Sequence, residues 1–313
     1  MANWGILGLG RMGCAFANAL NELSDSKLIL TGSKSGKTFN DVTSSTYQDV
    51  IKAKNIDSIY ISTLNNTHIE LINQSLNSGK NILCEKPVSI SLKELADLKI
   101  QLLKKEQSFY EAIAYYSHPQ TLEILKLIKN NVIGKIHKID CNFGFHAKFN
   151  PSSRLFNKSL GGGAIFDLGC YPISFAMLFS KNPSSIKITK KELKYSESKV
   201  DEDAKATIIC DETYECNMHV SIKKDLKNIC KIHGSKGHIN VSNPWLPDKK
   251  SQIEVLSNNH FYIKTIESEF SIYANQIKNV SEAFEKKNGK DLNLFDIDRS
   301  IINMSLIENW LEK

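Results

Sequence analysis

The first third of the chain sets short apolar runs between segments of helical period. Trp4 to Leu7 is apolar and passes through Gly8-Leu9-Gly10-Arg11-Met12-Gly13 into a helix-forming segment, 14–20. Strands are expected at 27–31, 58–63, 80–84 and 108–114, with helices at 47–53, 69–76 and 92–105 between them. Gly79 stops one helix, and Ser91 with Glu94 three residues later reads as the capping box of another. Strands alternating with helices predict a parallel sheet covered on both faces. Ligands in such sheets sit at the carboxyl ends of the strands, which puts residues 8–13, 33–34, 63–68 and 85–87 along one crevice.

From His118-Pro119 the pattern changes. An amphipathic helix (121–130) precedes an alternating strand (135–146), a glycine-rich stretch and an apolar helix through Phe175 to Phe179. Strand candidates separated by turn residues follow at 186–194, 204–210, 214–222, 227–233, 237–241, 251–256 and 260–265, and helices at 272–287 and 296–312 close the chain. The fold class is therefore α/β. A Rossmann-type, doubly wound parallel sheet over 1–118 is joined to an α+β domain over 119–313 with an open, mostly antiparallel sheet.

Composition narrows the function without fixing it. The 313 residues, 41% hydrophobic and 24% charged, suit two globular domains. No apolar stretch has the length of a membrane span, and the N-terminus reads as a strand without a signal peptide, so a cytoplasmic protein is expected. Seven scattered cysteines without a C-x-x-C pair read as reduced thiols, and no metal site is expected. The net charge of +6 raises nucleic acid as a partner, but of 40 basic residues only Arg11, Arg154 and Arg299 are arginine, and the lysines are dispersed. Nucleic-acid surfaces lean on clustered arginine, so neither nucleic acid nor membrane is expected as a partner.

The glycine turn carries the first chemistry. Gly8 permits the tight turn, Gly10 lets the backbone approach a pyrophosphate, and Gly13 lets the helix lie close to the strand. The helix N-terminus adds N–H donors and partial positive charge. About 20 residues after this motif an NAD-binding fold places an acid on the adenosine ribose. This chain has Ser33 and Lys34 there with Lys37 close behind. A hydroxyl and cations suit a 2′-phosphate, so NADP(H) is favoured, with NAD(H) the alternative. Arg11 could stack on the adenine or reach the same phosphate, and Met12, Thr63, Asn65, His68 and Glu85 complete the cofactor candidates at strand ends.

Several blocks together resemble the glucose–fructose oxidoreductase/inositol dehydrogenase family, Gfo/Idh/MocA. They are the glycine motif, Gly79 to Pro87 with its Glu85-Lys86-Pro87, Glu111-Ala112 with His118-Pro119, and Leu160-Gly161-Gly162-Gly163 leading into Asp167-Leu168-Gly169-Cys170-Tyr171. Asp167 followed four residues later by Tyr171 rather than His is similar to the dihydrodiol and xylose dehydrogenase branch. Tyr116-Ser117 stands where the family often carries Arg. The resemblance implies a dehydrogenase or reductase acting on CH–OH groups, with a second-domain sheet that often builds a homodimer or homotetramer.

Chemistry agrees with that resemblance. Reduction of a carbonyl needs a proton as well as a hydride, and a tyrosine of pKa about 10 needs a nearby cation to release one readily at neutral pH. Lys86 and Tyr171 are therefore read as catalytic, with Asp167 binding a sugar hydroxyl or holding Lys86. Arg154 and His146 are candidate substrate contacts. The expected reaction is NADP(H)-dependent hydride transfer to or from a carbonyl or secondary alcohol of a sugar, nucleotide-sugar or polyol. Two rivals stand beside it: a cofactor-binding regulatory or scaffold protein without turnover, and an NAD-dependent glycoside-modifying member of the family.

Overall fold

The structure is a computed structural model that describes residues 1–289 and 292–312. In chain order the elements begin β1 (Ala2–Leu7), α1 (Arg11–Leu20), β2 (Ser26–Gly32), β3 (Ser44–Ser45), α2 (Tyr47–Lys52) and β4 (Ser58–Ile61). Then come α3 (His68–Asn77), β5 (Asn81–Cys84), α4 (Leu92–Leu102), β6 (Phe109–Glu111), α5 (Pro119–Lys129), β7 (Ile136–Gly144) and α6 (Cys170–Met177). The chain continues with β8 (Lys187–Tyr195), β9 (Asp201–Cys210), β10 (Tyr214–Ser221), β11 (Ile229–Gly234) and β12 (Gly237–Ser242). The last elements are β13 (Lys250–Ser257), β14 (His260–Glu267), α7 (Ile272–Lys286) and α8 (Ile297–Leu311).

Two compact units result, one of residues 1–117 with 269–300, the other of 118–268 with 301–313. The first holds a six-stranded parallel sheet in the order β3-β2-β1-β4-β5-β6, the order of a dinucleotide-binding fold. Its central strands are buried on both faces, which is why they read as continuous apolar runs rather than alternating ones. Trp4, Phe16 and Tyr60 anchor the core, with the Phe16 and Tyr60 rings stacked at 3.8 Å.

The first unit also claims a segment that the reading of 119–313 as one domain had assigned elsewhere. Along α7, Ala274, Ile277, Val280 and Ala283 are fully buried in the cluster that contains Trp4, Phe16 and Tyr60. Helical periodicity announces that such a face will be buried but not which sheet will bury it.

In the second unit an eight-stranded sheet runs β14-β13-β12-β11-β7-β10-β9-β8. Every pair is antiparallel except β7 with β10. That one parallel pair lies inside the sheet and makes it mixed.

Smaller departures have local causes. The strand expected at 58–63 stops at Ile61 because Ser62 turns its hydroxyl onto the Gly8 carbonyl, at 2.7 Å. The strand expected at 108–114 ends at Glu111, where Ile113 N–H folds back onto the Glu111 carbonyl. The expected capping box at Ser91 is replaced by a neighbour. Ser89 accepts from Ser91 N–H and donates to Glu94, while the Ser91 side chain makes no cap. The two-residue β3 had no apolar signature to announce it.

Candidate active site

Parallel pairing brings the loops of the first unit to one edge. Leu7 is in register with Gly32 and with Ile61, and Ile61 with Cys84. The next residues, Gly8, Ser33, Ser62 and Glu85, therefore begin their loops side by side. Gly8 has φ of 95°, and a Cβ there would lie 2.8 Å from the Ser62 carbonyl oxygen. A Cβ on Gly13 would lie 2.2 Å from the Gly8 oxygen, so α1 can approach β1 this closely only without one. Gly10 is different, since a Cβ there would meet nothing within 4 Å. Its backbone borders open space at the start of α1, where no side chain caps the helix and no acid occupies the first turn. This geometry fits the pyrophosphate of a dinucleotide, which would take the free first-turn N–H groups.

At the end of β2, Ser33 pairs its hydroxyl with Ser35 at 3.1 Å, and Lys34 and Lys37 are exposed. Lys34 Nζ lies 6.0 Å from the Tyr47 ring centroid and Lys37 Nζ 3.3 Å from Cys14 Sγ, so both cations stay close to the end of the sheet. Beyond β4, Thr63 and Thr67 share a hydrogen bond of 2.7 Å, and Asn65 opens a 3₁₀ turn. Arg11 is exposed and Met12 half-buried at the start of α1.

His68 is wholly buried, which removes its ring from direct contact with a ligand in this conformation. Nδ1 lies 3.0 Å from the Pro87 carbonyl and Nε2 3.2 Å from that of Thr63. Burial pushes the ring down to about 4 against the pull of those carbonyls. A neutral ring donates to only one of them, and the shorter distance assigns that bond to Pro87.

The turn after β5 is held through its backbone. Lys86-Pro87 is cis. Lys86 N–H donates to Glu85 Oε2 at 3.3 Å, the Pro87 carbonyl faces His68, and Val88 N–H donates to Glu111 Oε1 at 3.3 Å. Glu85 in turn accepts a short hydrogen bond from the buried Tyr60 hydroxyl. Burial, then the Glu85 charge, push that phenol well above its ordinary range. Tyr273 of α7 is raised chiefly by burial and then by Glu85, with Arg11 and Lys86 opposing, so these charges share one neighbourhood.

Sequence reasoning gave no role to Tyr60, nor one to Glu111 beyond its place in a motif. A signal for Glu111 existed, namely a lone carboxylate in the apolar run Phe109 to Ile113. Such a residue is almost never fully buried without a partner.

In the second unit a π-turn, Ile165–Gly169, leads directly into α6; such turns recur at functional sites. It carries Asp167 and sets Tyr171 at the start of the α-helix. Asp167 is buried and takes Arg154 Nη1 at 2.9 Å, so those two candidates form one ion pair rather than two separate contacts. Tyr171 is half-buried against the edge of Phe143, ring centroids 5.2 Å apart, with Trp245 at 6.1 Å. His146 is exposed, its Nδ1 2.8 Å from the Lys223 carbonyl.

Asp201 is the group the sequence did not announce. Its buried carboxylate accepts from Ile165 N–H at 2.7 Å and so pins the π-turn. Burial raises it to about 6, against the backbone hydrogen bonds. Among the described residues, no group of three His, Cys, Asp or Glu side chains is arranged to hold a metal ion.

Comparison with known proteins places this geometry in a wider group. Residues 2–112 match the model described as "Oxidoreductase family, NAD-binding Rossmann fold", and residues 121–240 the GFO/IDH/MocA C-terminal domain. The trans-1,2-dihydrobenzene-1,2-diol dehydrogenase of Xenopus tropicalis is 27% identical over 255 residues, 78% of this chain and 76% of that enzyme. The D-xylose 1-dehydrogenase (NADP(+)) of Hypocrea jecorina is 27% identical over 66% of this chain and 58% of its own length. The solved 3-ketoreductase KijD10 of Actinomadura kijaniata, in complex with NADP and TDP-benzene, superposes with a TM-score of 0.88 at 18% identity. That match covers 98% of this chain and 96% of that one.

Proposed function

Because the chain belongs to the GFO/IDH/MocA family of oxidoreductases, we propose that it moves a hydride between NADP(H) and a carbonyl or secondary alcohol of a sugar, nucleotide-sugar, polyol or related diol. The observation that carries this reading is the common edge of β1, β2, β4 and β5, from which the glycine turn, Ser33-Lys34 and Lys86 all emerge. The relatives support it, one named for NADP(+)-linked oxidation of D-xylose and one for a dihydrodiol.

When bound, the nicotinamide supplies or accepts the hydride. The protein's own residues handle the proton. Tyr171 gives its phenolic proton to the substrate oxygen in reduction and takes it back in oxidation. Lys86 hydrogen-bonds the same oxygen, and its ammonium favours the phenolate. A positioned acid–base pair of this kind contributes about 10²–10⁴-fold. Asp167, paired with Arg154, orients a neighbouring hydroxyl. Ser33, Lys34 and Lys37 receive the 2′-phosphate that distinguishes NADP from NAD.

The test is a screen of aldoses, nucleotide-sugars and diols with NADP⁺ and NADPH, followed by Lys86→Ala and Tyr171→Phe on the best substrate. Each should lower kcat by at least 10²-fold while NADPH binding changes little. Full turnover by Lys86→Ala would remove the assignment.

The outward face of the second sheet supports a homodimer or homotetramer. Register puts Ile209, Ile229, Phe261 and Ile263, 38–55% exposed, on one face with Asp140, Asn217 and Glu254. A groove of about 340 Å³ on that face is lined by Asp140, Lys190, Lys205, Asn217 and His219 among others. Phe261→Asp with Ile263→Asp should lower the mass measured by light scattering to that of a single chain. Among the described residues no helix is long and apolar enough to cross a membrane. None of the seven cysteines is joined in a disulfide.

A further inference from the structure

The backbone of the Lys86 turn is tied at three points, and one tie is unlike the others. Glu85 is the neighbour of Lys86 in sequence, and His68 is neutral. Glu111 comes from the adjacent strand β6, is 4% exposed, and meets Val88 N–H from beneath the turn. Strand pairing fixes its place: Cys84 and Glu111 are partners in the β5–β6 ladder, and Glu111 N–H is held by the Phe295 carbonyl at 2.9 Å. Its carboxyl also hydrogen-bonds the Ser300 hydroxyl, which lies 3.0 Å from the Asp296 carbonyl. The site suits either charge state. An ionised Glu111 accepts from both Val88 and Ser300; a protonated one can donate to Ser300 Oγ while that hydroxyl donates to Asp296.

We propose that Glu111 is a positioning residue for Lys86, holding through the Val88 N–H the turn that carries it, with its own charge coupled to that of the Lys86 ammonium. This rests on the reading of Lys86 as the catalytic lysine. The groups that share the field of Glu111 are Cys84, Glu85 and Lys86 from β5 and its turn, with Ser300 from α8. Burial is the largest influence and raises the carboxyl to about 7, with Glu85 adding to it and Ser300, Val88 and Lys86 opposing. Around neutral pH the Glu111 carboxyl therefore changes its charge. Above that point Glu111 is ionised and its charge favours the Lys86 ammonium, and below it the backbone tie through Val88 persists.

The experiment reads the coupling without any substrate. The full chain, ¹³C-labelled at glutamate carboxyls, is titrated by NMR, with the Glu111 resonance identified by its loss in Glu111→Gln and, should that variant not fold, by its loss in Glu111→Asp. The expected midpoint is about 7 in the parent chain, moving upward by at least half a pH unit in Lys86→Ala, where the opposing cation is gone. A midpoint near the ordinary value of about 4.3, or one indifferent to Lys86→Ala, overturns the proposal. Once a substrate is known, Glu111→Gln should lower kcat about 10-fold or more with the KM for NADPH little changed. It should also flatten the limb of the pH profile near 7, and Glu111→Asp should restore a limb. An intact limb in Glu111→Gln counts against the proposal as well. Coupling in the titration without loss of turnover in Lys86→Ala would instead spare this inference and remove the catalytic reading of Lys86.

Discussion

Gly163→Ala should unfold the second unit more readily than any other single methyl added along the glycine-rich stretch is expected to. Gly163 has φ of 123°, a region that a side chain rarely adopts, and its Cβ would stand 2.1 Å from Asp201 Oδ1. The backbone strain alone costs on the order of 1–3 kcal/mol. Relieving the contact means moving the carboxylate that holds Ile165 N–H at 2.7 Å, and losing a buried bond to such a group costs about 1.5–3 kcal/mol. The sum is roughly 2.5–6 kcal/mol. For a unit of this size each kcal/mol moves the midpoint by about 2–4 °C, so scanning calorimetry should find a transition lowered by roughly 5–24 °C. Because the displaced π-turn leads into the helix start that carries Tyr171, turnover should fall while NADPH affinity stays within about twofold below the melt. A transition within about 1 °C of the parent's would show that Asp201 does not pin this turn.

Three further outcomes follow from the first unit. Gly13→Ala should destabilise it, since the new methyl meets the Gly8 carbonyl at 2.2 Å, whereas Gly10→Ala, with nothing within 4 Å, should melt normally and weaken NADPH binding; equal binding by parent and Gly10→Ala would refute the pyrophosphate assignment. Lys34→Glu combined with Lys37→Glu should cost NADPH at least 10-fold in fluorescence titration and leave NADH nearly unchanged; a parallel loss of both would refute the 2′-phosphate reading. Glu111 and His68 should give opposite slopes of stability with pH. Glu111, raised from 4.5 to about 7, lends stability that is full below pH 4.5 and is lost as pH rises through 7; His68, lowered from 6.5 to about 4, lends stability present above pH 6.5 and lost as pH falls through 4. Each is worth about 3 kcal/mol by linkage. Urea melts of Glu111→Gln should therefore keep only the slope that rises with pH between 4.5 and 6.5, and a curve parallel to the parent's would contradict the buried-acid reading.

How much was legible in the chain depended on whether a feature was local. The strand–turn–helix at residues 2–20 and the alternation that follows it were readable because apolar run, glycine and helical period lie within a few residues of one another. The parallel order of the first sheet followed from that alternation. What escaped was set by distant partners. Asp201 meets Ile165 from 36 residues away, Tyr60 meets Glu85 from 25, and α7 joins a core whose other members include Trp4, Phe16 and Tyr60. Arg154 and Asp167 were each singled out, yet their pairing depends on how the intervening loop closes. His68 follows β4 in sequence, as many cofactor contacts follow strands, but only the fold shows it opening α3 with its ring turned inward to two carbonyls.

The return of 269–300 to the first unit has a consequence for how the protein is made. A ribosome finishes β6 long before it reaches Ile277 and Val280, so the nascent dinucleotide-binding half waits with Trp4 and Phe16 uncovered while the whole intervening unit is synthesised. A fragment ending near residue 118 would keep that wait forever, and should be recovered as an aggregate or a loosely packed species unless the 269–300 segment is supplied in trans.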